Sequence, residues 1–243
     1  MRERVRVAEL MDDPALDAAA HDRALAGLAR LNAWSGSRRL LWSGIAAHAR
    51  EARARGTTLT VVDVASGSAD GPIELALRAR RERLPLRWIL CDFSGHALGV
   101  AAARARAAGV EVETVVADVV SAPLPIAGDI VTCSLFIHHC DPDAAVAAMR
   151  HMRDAARVAV GITDLDRTRA GLALAWLGSR ALSRSPVVHF DATASVRAAF
   201  SRAEAAGLAR AAGLEGATVE PAFPERWRLW WRLYRLFRLT FSS

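Results

Sequence analysis

The sequence predicts an α/β fold, a doubly wound and mostly parallel sheet with helices on both faces, and three observations predict it. Short apolar, β-branched runs recur at 59–66, 86–93, 110–119, 129–136 and 156–165. Helical spacing of apolar residues fills most intervals between them, as in GPIELALRARRER, SGHALGVAAARARAAG and DPDAAVAAMRHMRDAA. Small or acidic residues close the strands, which suits turns at the carboxyl edge of a parallel sheet.

The chain has 243 residues, 52% hydrophobic and 24% charged, which fits a single folded domain and excludes a disordered tail. Residues 1–54 read as an N-terminal helical cap, through LDAAAHDRALAGLARL and SGSRRLLWSGIAAHAREARAR. Residues 55–165 hold the five strands, and Pro72 stands in the first turn of the helix after the first strand. Residues 166–200 interrupt the alternation: TRAGLALAWLGSRALS looks helical, SPVVHFDATASVRAAF irregular, and the whole reads as an insertion covering a site. Residues 201–243 close the fold. Ser201 and Glu204 make a capping box for a helix that stops at Gly213, and GATVEPAF and ERWRLWWRL form two further strands, antiparallel to each other across Pro224.

All 32 basic side chains are arginine; the net charge is +6, and there is no lysine. Basicity of this kind points to nucleic acid, a membrane surface or an acidic partner, against arginines spread over solvated helix faces. The missing lysine excludes a P-loop. Cys91, Cys133 and Cys140 are odd in number and in no CxxC spacing, so neither a disulfide framework nor a zinc ribbon is indicated. The start MRERVRVAELMDD lacks an apolar secretory core, and a cytoplasmic location is expected.

In an open α/β sheet the ligand lies at the carboxyl ends of the strands, so the loop after the first strand matters most. It runs Asp63-Val64-Ala65-Ser66-Gly67-Ser68-Ala69-Asp70-Gly71. Its small side chains let a ligand approach the backbone. The D-x-A-x-G-x-A spacing is not GxGxxG and counts against a nicotinamide dinucleotide. Asp92 ends the second strand, 25 residues after Gly67, where ribose hydroxyls are commonly bound. Asp118 ends the third. Three carboxylates lining one crevice, with no phosphate-binding motif, suit a cationic, phosphate-free nucleoside.

TVVDVASGSADGPIELA, ILCDFSGHALGVAAARA, VETVVADV and DIVTCSLFIHHCDP, in this order, resemble the class I S-adenosylmethionine-dependent methyltransferases. The resemblance implies seven strands with a reversed last one. It also implies S-adenosyl-L-methionine held by Asp63, Ala65 and Gly67 around the methionine moiety, Asp92 and Phe93 at the ribose, Asp118 and Val119 near the adenine, and Cys133 or Ser134 beyond the fourth strand. Ala65 and Ala69 stand where most members carry glycine. The outer segments, among them ITDLDRTRAGLAL and FPERWRLWW, are similar to a bacterial subgroup that often accompanies type III polyketide synthases, which implies a phenolic or polyketide-derived small-molecule acceptor. RNA methylation, N- or C-methylation and a non-catalytic binding role are the alternatives.

Methyl transfer from a sulfonium needs alignment of nucleophile, methyl and sulfur, and a phenol gains from a base on its proton. His138 and His139 follow the fourth strand, and His189 lies in the insertion with Asp191. His139 and His189 are the favoured bases. A metal on His138, His139 and Cys140 is disfavoured, because consecutive residues do not readily present tetrahedral ligands. Arg197 is read as a partner of Asp191 rather than an acceptor-binding group. The segment from Glu225 onward reads as a strand near 226–233, with Trp227, Leu229, Trp231 and Leu233 on one face and Arg226, Arg228 and Arg232 on the other. As a helix it is amphipathic, and residues 234–243 could touch a membrane surface or a lipid-like acceptor.

Overall fold

The structure is a computed structural model; it describes all residues except 2, 13, 14, 35, 37, 38 and 234–243. Helices α1 (Ala18–Trp34) and α2 (Trp42–Ala54) precede the first strand. Then β1 (Leu59–Val64), α3 (Asp70–Arg81), β2 (Leu86–Asp92), α4 (Gly95–Ala107) and β3 (Val112–Val116) alternate as the apolar periods predict. β4 (Gly128–Ser134), α5 (Pro142–Ala155) and β5 (Ala156–Leu165) follow. Two helices, α6 (Arg169–Leu182) and α7 (Pro186–Ala198), fill residues 166–200, and α8 (Arg202–Ala211), β6 (Thr218–Ala222) and β7 (Arg226–Arg232) complete the fold.

The seven strands lie in the order β3-β2-β1-β4-β5-β7-β6. β1 pairs in parallel with β2 and β4, which run to opposite sides of it, so the topological switch point falls beside the loop after β1. β7 is antiparallel to both β5 and β6. Both sheet faces are covered. One face packs Ile162, Trp227 and Leu229 against Met149 and Met152 of α5; the other packs Val61, Ile130 and Ala159 against Trp42 and Ile45 of α2.

Local chemistry explains the element ends. Asp141 caps α5 by accepting from the Ala144 amide, with Pro142 in the first turn. Ser201 and Glu204 form the expected capping box. Gly213, at φ +77°, ends α8: its amide and that of Leu214 return to the carbonyls of Arg210 and Ala209. The irregular reading of 185–200 is corrected, because α7 is a regular helix whose Val187, Val188, Ala192 and Val196 are buried.

The strand reading of 226–232 stands, with one addition. Trp227, Leu229 and Trp231 are buried as one face, but Arg226 on the other is buried too. Trp230, also on that face, enters a slot between Gly44 of α2 and Gly161 of β5. A Cβ at either glycine would lie 2.5–2.6 Å from the indole ring. Gly161→Ala is therefore expected to destabilise the protein by about 1–3 kcal/mol. A thermal midpoint equal to that of the wild type would refute this slot as the reason for glycine.

Candidate active site

The site begins with backbone. Ala65 (φ +51°), Gly67 (φ +51°) and Ala69 (φ +57°) all take left-handed conformations as the chain turns from β1 into α3. Two alanines held there carry strain that glycine would not. The turn is closed by the Ser66 amide on the Cys91 carbonyl (3.1 Å) and the Ala69 amide on the Ser66 carbonyl (2.8 Å). A Cβ at Gly67 would meet no atom within 4 Å, so the loop presents open backbone.

Asp92 ends β2 and is buried; its Oδ2 accepts from the Gly67 amide (2.9 Å) and its Oδ1 from the Ser94 amide (2.9 Å). It thereby ties the β1 loop to the second strand. Phe93 beside it and Val116 at the end of β3 are apolar yet 75% and 64% exposed, which leaves an apolar surface next to the loop. Asp118 is exposed and holds its own turn, accepting from Val120 N (2.9 Å) and the Ser121 hydroxyl, a bond that keeps its carboxyl below the usual range. Val119 is buried, and its carbonyl bonds His151 Nδ1 (2.8 Å).

Asp63 lies beneath the loop with Thr132 Oγ1 donating to its Oδ1 (2.7 Å). Burial pushes its carboxyl up to about 7, against the hydrogen bonds of Thr132 and Ser66. Cys133 is fully buried in the core below, with its thiol pushed up by burial, whereas Ser134 at the end of β4 is partly exposed.

Above the strand ends lies a cavity of about 590 Å³. Gly67, Ser68 and Asp70 border it on the loop side; Leu28, Leu31, Leu174 and Val196, from α1, α6 and α7, give it apolar walls. Its polar end is built by His138, His139, Glu9 and Arg226. Leu135 (φ +57°) and Glu225 (φ +48°), also at its edge, are strained as well, so four of the five non-glycine residues with positive φ among the described residues lie in loops at this edge of the sheet.

His138 Nδ1 lies 2.6 Å from Asp164 Oδ1, and both groups are buried. Asp164 also accepts from the His138 amide (3.0 Å) and the Leu165 amide (2.7 Å). Burial pushes the Asp164 carboxyl up, but the His138 charge and these hydrogen bonds outweigh it and hold it below its ordinary value. For His138, burial lowers and Asp164 raises, with the carboxylate prevailing. Arg226, beside Asp164, is pulled down by burial to about 10. His139 is drawn down to about 4 by burial and by the charge of His138.

The N-terminal segment straps this turn. Arg4 Nη2 donates to the carbonyls of His138 (2.9 Å) and Cys140 (2.7 Å), and Arg6 Nη1 to that of His139 (2.7 Å). Glu9 follows, with Oε1 3.9 Å from His138 Nε2 and accepting from the Ser195 hydroxyl of α7. Asp191 anchors the strap through the amides of Leu10 (2.7 Å) and Met11 (3.2 Å).

The structure thus gathers the loop residues, Asp92 and Phe93 at the strand ends and sets His139 on the cavity. It does not bring His189 there: His189 Nε2 bonds the Ser183 carbonyl (2.8 Å), between α6 and α7. Glu9, Asp164 and Arg226 were not among the residues expected from sequence. For Asp164 a signal existed, an aspartate at the carboxyl end of an apolar strand like Asp63 and Asp92. The expected membrane contact at 234–243 lies outside the described residues, and none of the helices described is long and apolar enough to cross a membrane.

Residues 61–158 match the family model described as a methyltransferase domain. No curated protein matches the chain. Among solved structures, the S-adenosylmethionine-dependent methyltransferase SibL is 24% identical over 72% of this chain and 50% of its own, with a TM-score of 0.56. Magnesium protoporphyrin IX methyltransferase from Synechocystis PCC 6803, solved with bound SAH, is 16% identical over 90% of this chain and 89% of its own (TM-score 0.52). The plantazolicin methyltransferase BamL is 14% identical over 83% and 68% (TM-score 0.53). The chain spans about half the length of SibL. The fold is that of the class I S-adenosylmethionine-dependent methyltransferases, with a mostly parallel sheet and one antiparallel hairpin.

Proposed function

We propose that the chain is an S-adenosylmethionine-dependent methyltransferase that methylates a hydroxyl of a small, largely apolar acceptor, of phenolic or polyketide-derived type. The observation that carries this reading is a single cavity with the open β1 loop at one side, apolar helix walls, and a buried histidine–carboxylate pair at its polar end. The residues present fit the cofactor. Ala65, Gly67 and Ala69 offer backbone to the methionine moiety, and Asp92 is placed for ribose hydroxyls. Phe93, Val119 and Asp118 border the adenine position, and Ser134 the sulfur side. Asp63 and Cys133, buried below, shape the floor.

When bound, the cofactor supplies an electrophilic methyl on sulfur. The protein supplies alignment, exclusion of water by α1, α6 and α7, and a polar end where Glu9, His138 and His139 favour loss of the acceptor proton. The outer segments that resemble the polyketide-associated subgroup and the apolar walls both favour an aromatic acceptor.

Calorimetric titration with S-adenosylmethionine tests the reading; a folded protein that binds none sinks it. Asp92→Ala removes both the ribose contact and the tie to Gly67. The variant is expected to weaken cofactor binding by roughly 10- to 100-fold, as loss of hydrogen bonds to a charged group implies.

A further inference from the structure

Consecutive histidines in a tight turn ordinarily point apart, yet the rings of His138 and His139 are tilted by 35° with centroids 4.1 Å apart. Glu9 arrives from the other end of the chain. One ligand atom from each of the three residues lies within 4.8 Å of the other two. From this convergence we propose that Glu9, His138 and His139 form a binding site for one divalent transition-metal ion, with its remaining coordination position open to the cavity.

Three further features support the site. His138 turns its other ring nitrogen, Nδ1, onto the buried Asp164 carboxylate at 2.6 Å, the outer-shell arrangement that fixes the orientation of a metal-bound imidazole. The backbone carrying both histidines is pinned by Arg4 and Arg6, and Glu9 is held by Ser195, so the donors are positioned by elements distant in sequence. Two imidazoles and one carboxylate suit Zn²⁺, Co²⁺ or Ni²⁺ better than Mg²⁺, and three protein ligands with an open fourth position are the pattern of catalytic rather than structural zinc. Cys140, the third residue of the sequence cluster, is not part of it: the strap replaces the thiol by the Glu9 carboxylate.

The site goes beyond the methyltransferase reading; its use for holding the acceptor rests on that reading. An acceptor hydroxyl taking the open position releases its proton to water on coordination. It keeps an oxygen lone pair for the incoming methyl, whose bond to sulfur breaks with the electron pair going to sulfur.

The test is Co²⁺ titration of chelator-treated full-length protein, followed by visible d–d absorption, with Zn²⁺ calorimetry in parallel. One ion per chain is expected. Glu9→Gln, on the partly exposed strap, and His139→Ala are each expected to lower affinity at least tenfold. Asp164→Asn, which touches the ion only through His138, is expected to lower it by roughly 10- to 100-fold. Wild-type protein that binds S-adenosylmethionine but takes up no Co²⁺ or Zn²⁺ overturns the site and leaves the methyltransferase reading standing. Uptake that is unchanged in Glu9→Gln and His139→Ala overturns it as well. Cobalt bound as expected by protein that ignores S-adenosylmethionine supports the site and defeats the other reading.

Discussion

Asp164→Ala is expected to destabilise the protein by about 3–5 kcal/mol, the range found when one partner of a buried pair is removed. The carboxylate is 1% exposed and accepts three hydrogen bonds, from His138 Nδ1, His138 N and Leu165 N. Truncation leaves all three donors in a dry environment, where a lost acceptor costs far more than the bond contributed net. Asp164→Asn separates stability from positioning: with its amide oxygen in the Oδ1 place it still accepts from His138 Nδ1 and Leu165 N, but its NH₂ cannot accept from the His138 amide and it carries no charge to hold the imidazole. For this variant a smaller loss of stability is expected, with turnover lowered roughly 10- to 100-fold and affinity for S-adenosylmethionine unchanged. Urea denaturation measures the first quantity, and calorimetry with turnover on a methyl-accepting phenol measures the second. A turnover equal to wild type in Asp164→Asn would remove Asp164 as the residue that orients His138.

What made the central strands legible was burial on both faces. A strand covered on both sides reads as a continuous apolar run, and Ala156–Leu165 appears in the structure with the bounds expected from its sequence. α7 was not legible, because Val187, Val188, Thr193 and Val196 lower its local helix propensity and its first turn follows Ser185-Pro186. Packing against α6 and α1 overrides that preference, burying Val187 and Val188 beside Ala24. The same packing turns His189 toward Ser183 and away from the cavity. Glu9 carries no local signal at all. Its place depends on Arg4 and Arg6 reaching carbonyls 134 and 133 residues away, and no periodicity within the first ten residues encodes a contact of that range. The candidate site therefore divides by origin. Its cofactor side comes from turns of one repeated strand–loop–helix unit and is visible as motif; its polar end comes from a strap, a strand end and a turn that meet only in the folded chain.

The second large effect concerns pH. Asp63 is 6% exposed on a central strand. Burial pushes its carboxyl up to about 7, and the neighbouring Asp92 adds to that, while Thr132 and Ser66 oppose it. In the unfolded chain an aspartate ionises near pH 3.9. Between about pH 4 and pH 7 the folded protein thus keeps a proton that the unfolded chain has released, so stability falls as pH rises through this interval. The contribution is fully present below the unfolded value and is lost as pH passes about 7. With each unit worth about 1.4 kcal/mol, the full effect is on the order of 4 kcal/mol. Asp63→Asn cannot ionise, and its side-chain oxygen can still accept from Thr132. The variant is therefore expected to lose much less stability than wild type between pH 5 and pH 8, and to be the more stable of the two at pH 8. Urea midpoints of both proteins at the two pH values decide it: parallel losses would mean that Asp63 is not the titrating group. A carboxyl poised near neutrality under the β1 loop also explains why Thr132, a hydroxyl able to serve either protonation state, occupies a strand position that is otherwise apolar on both sides, between Val131 and Cys133.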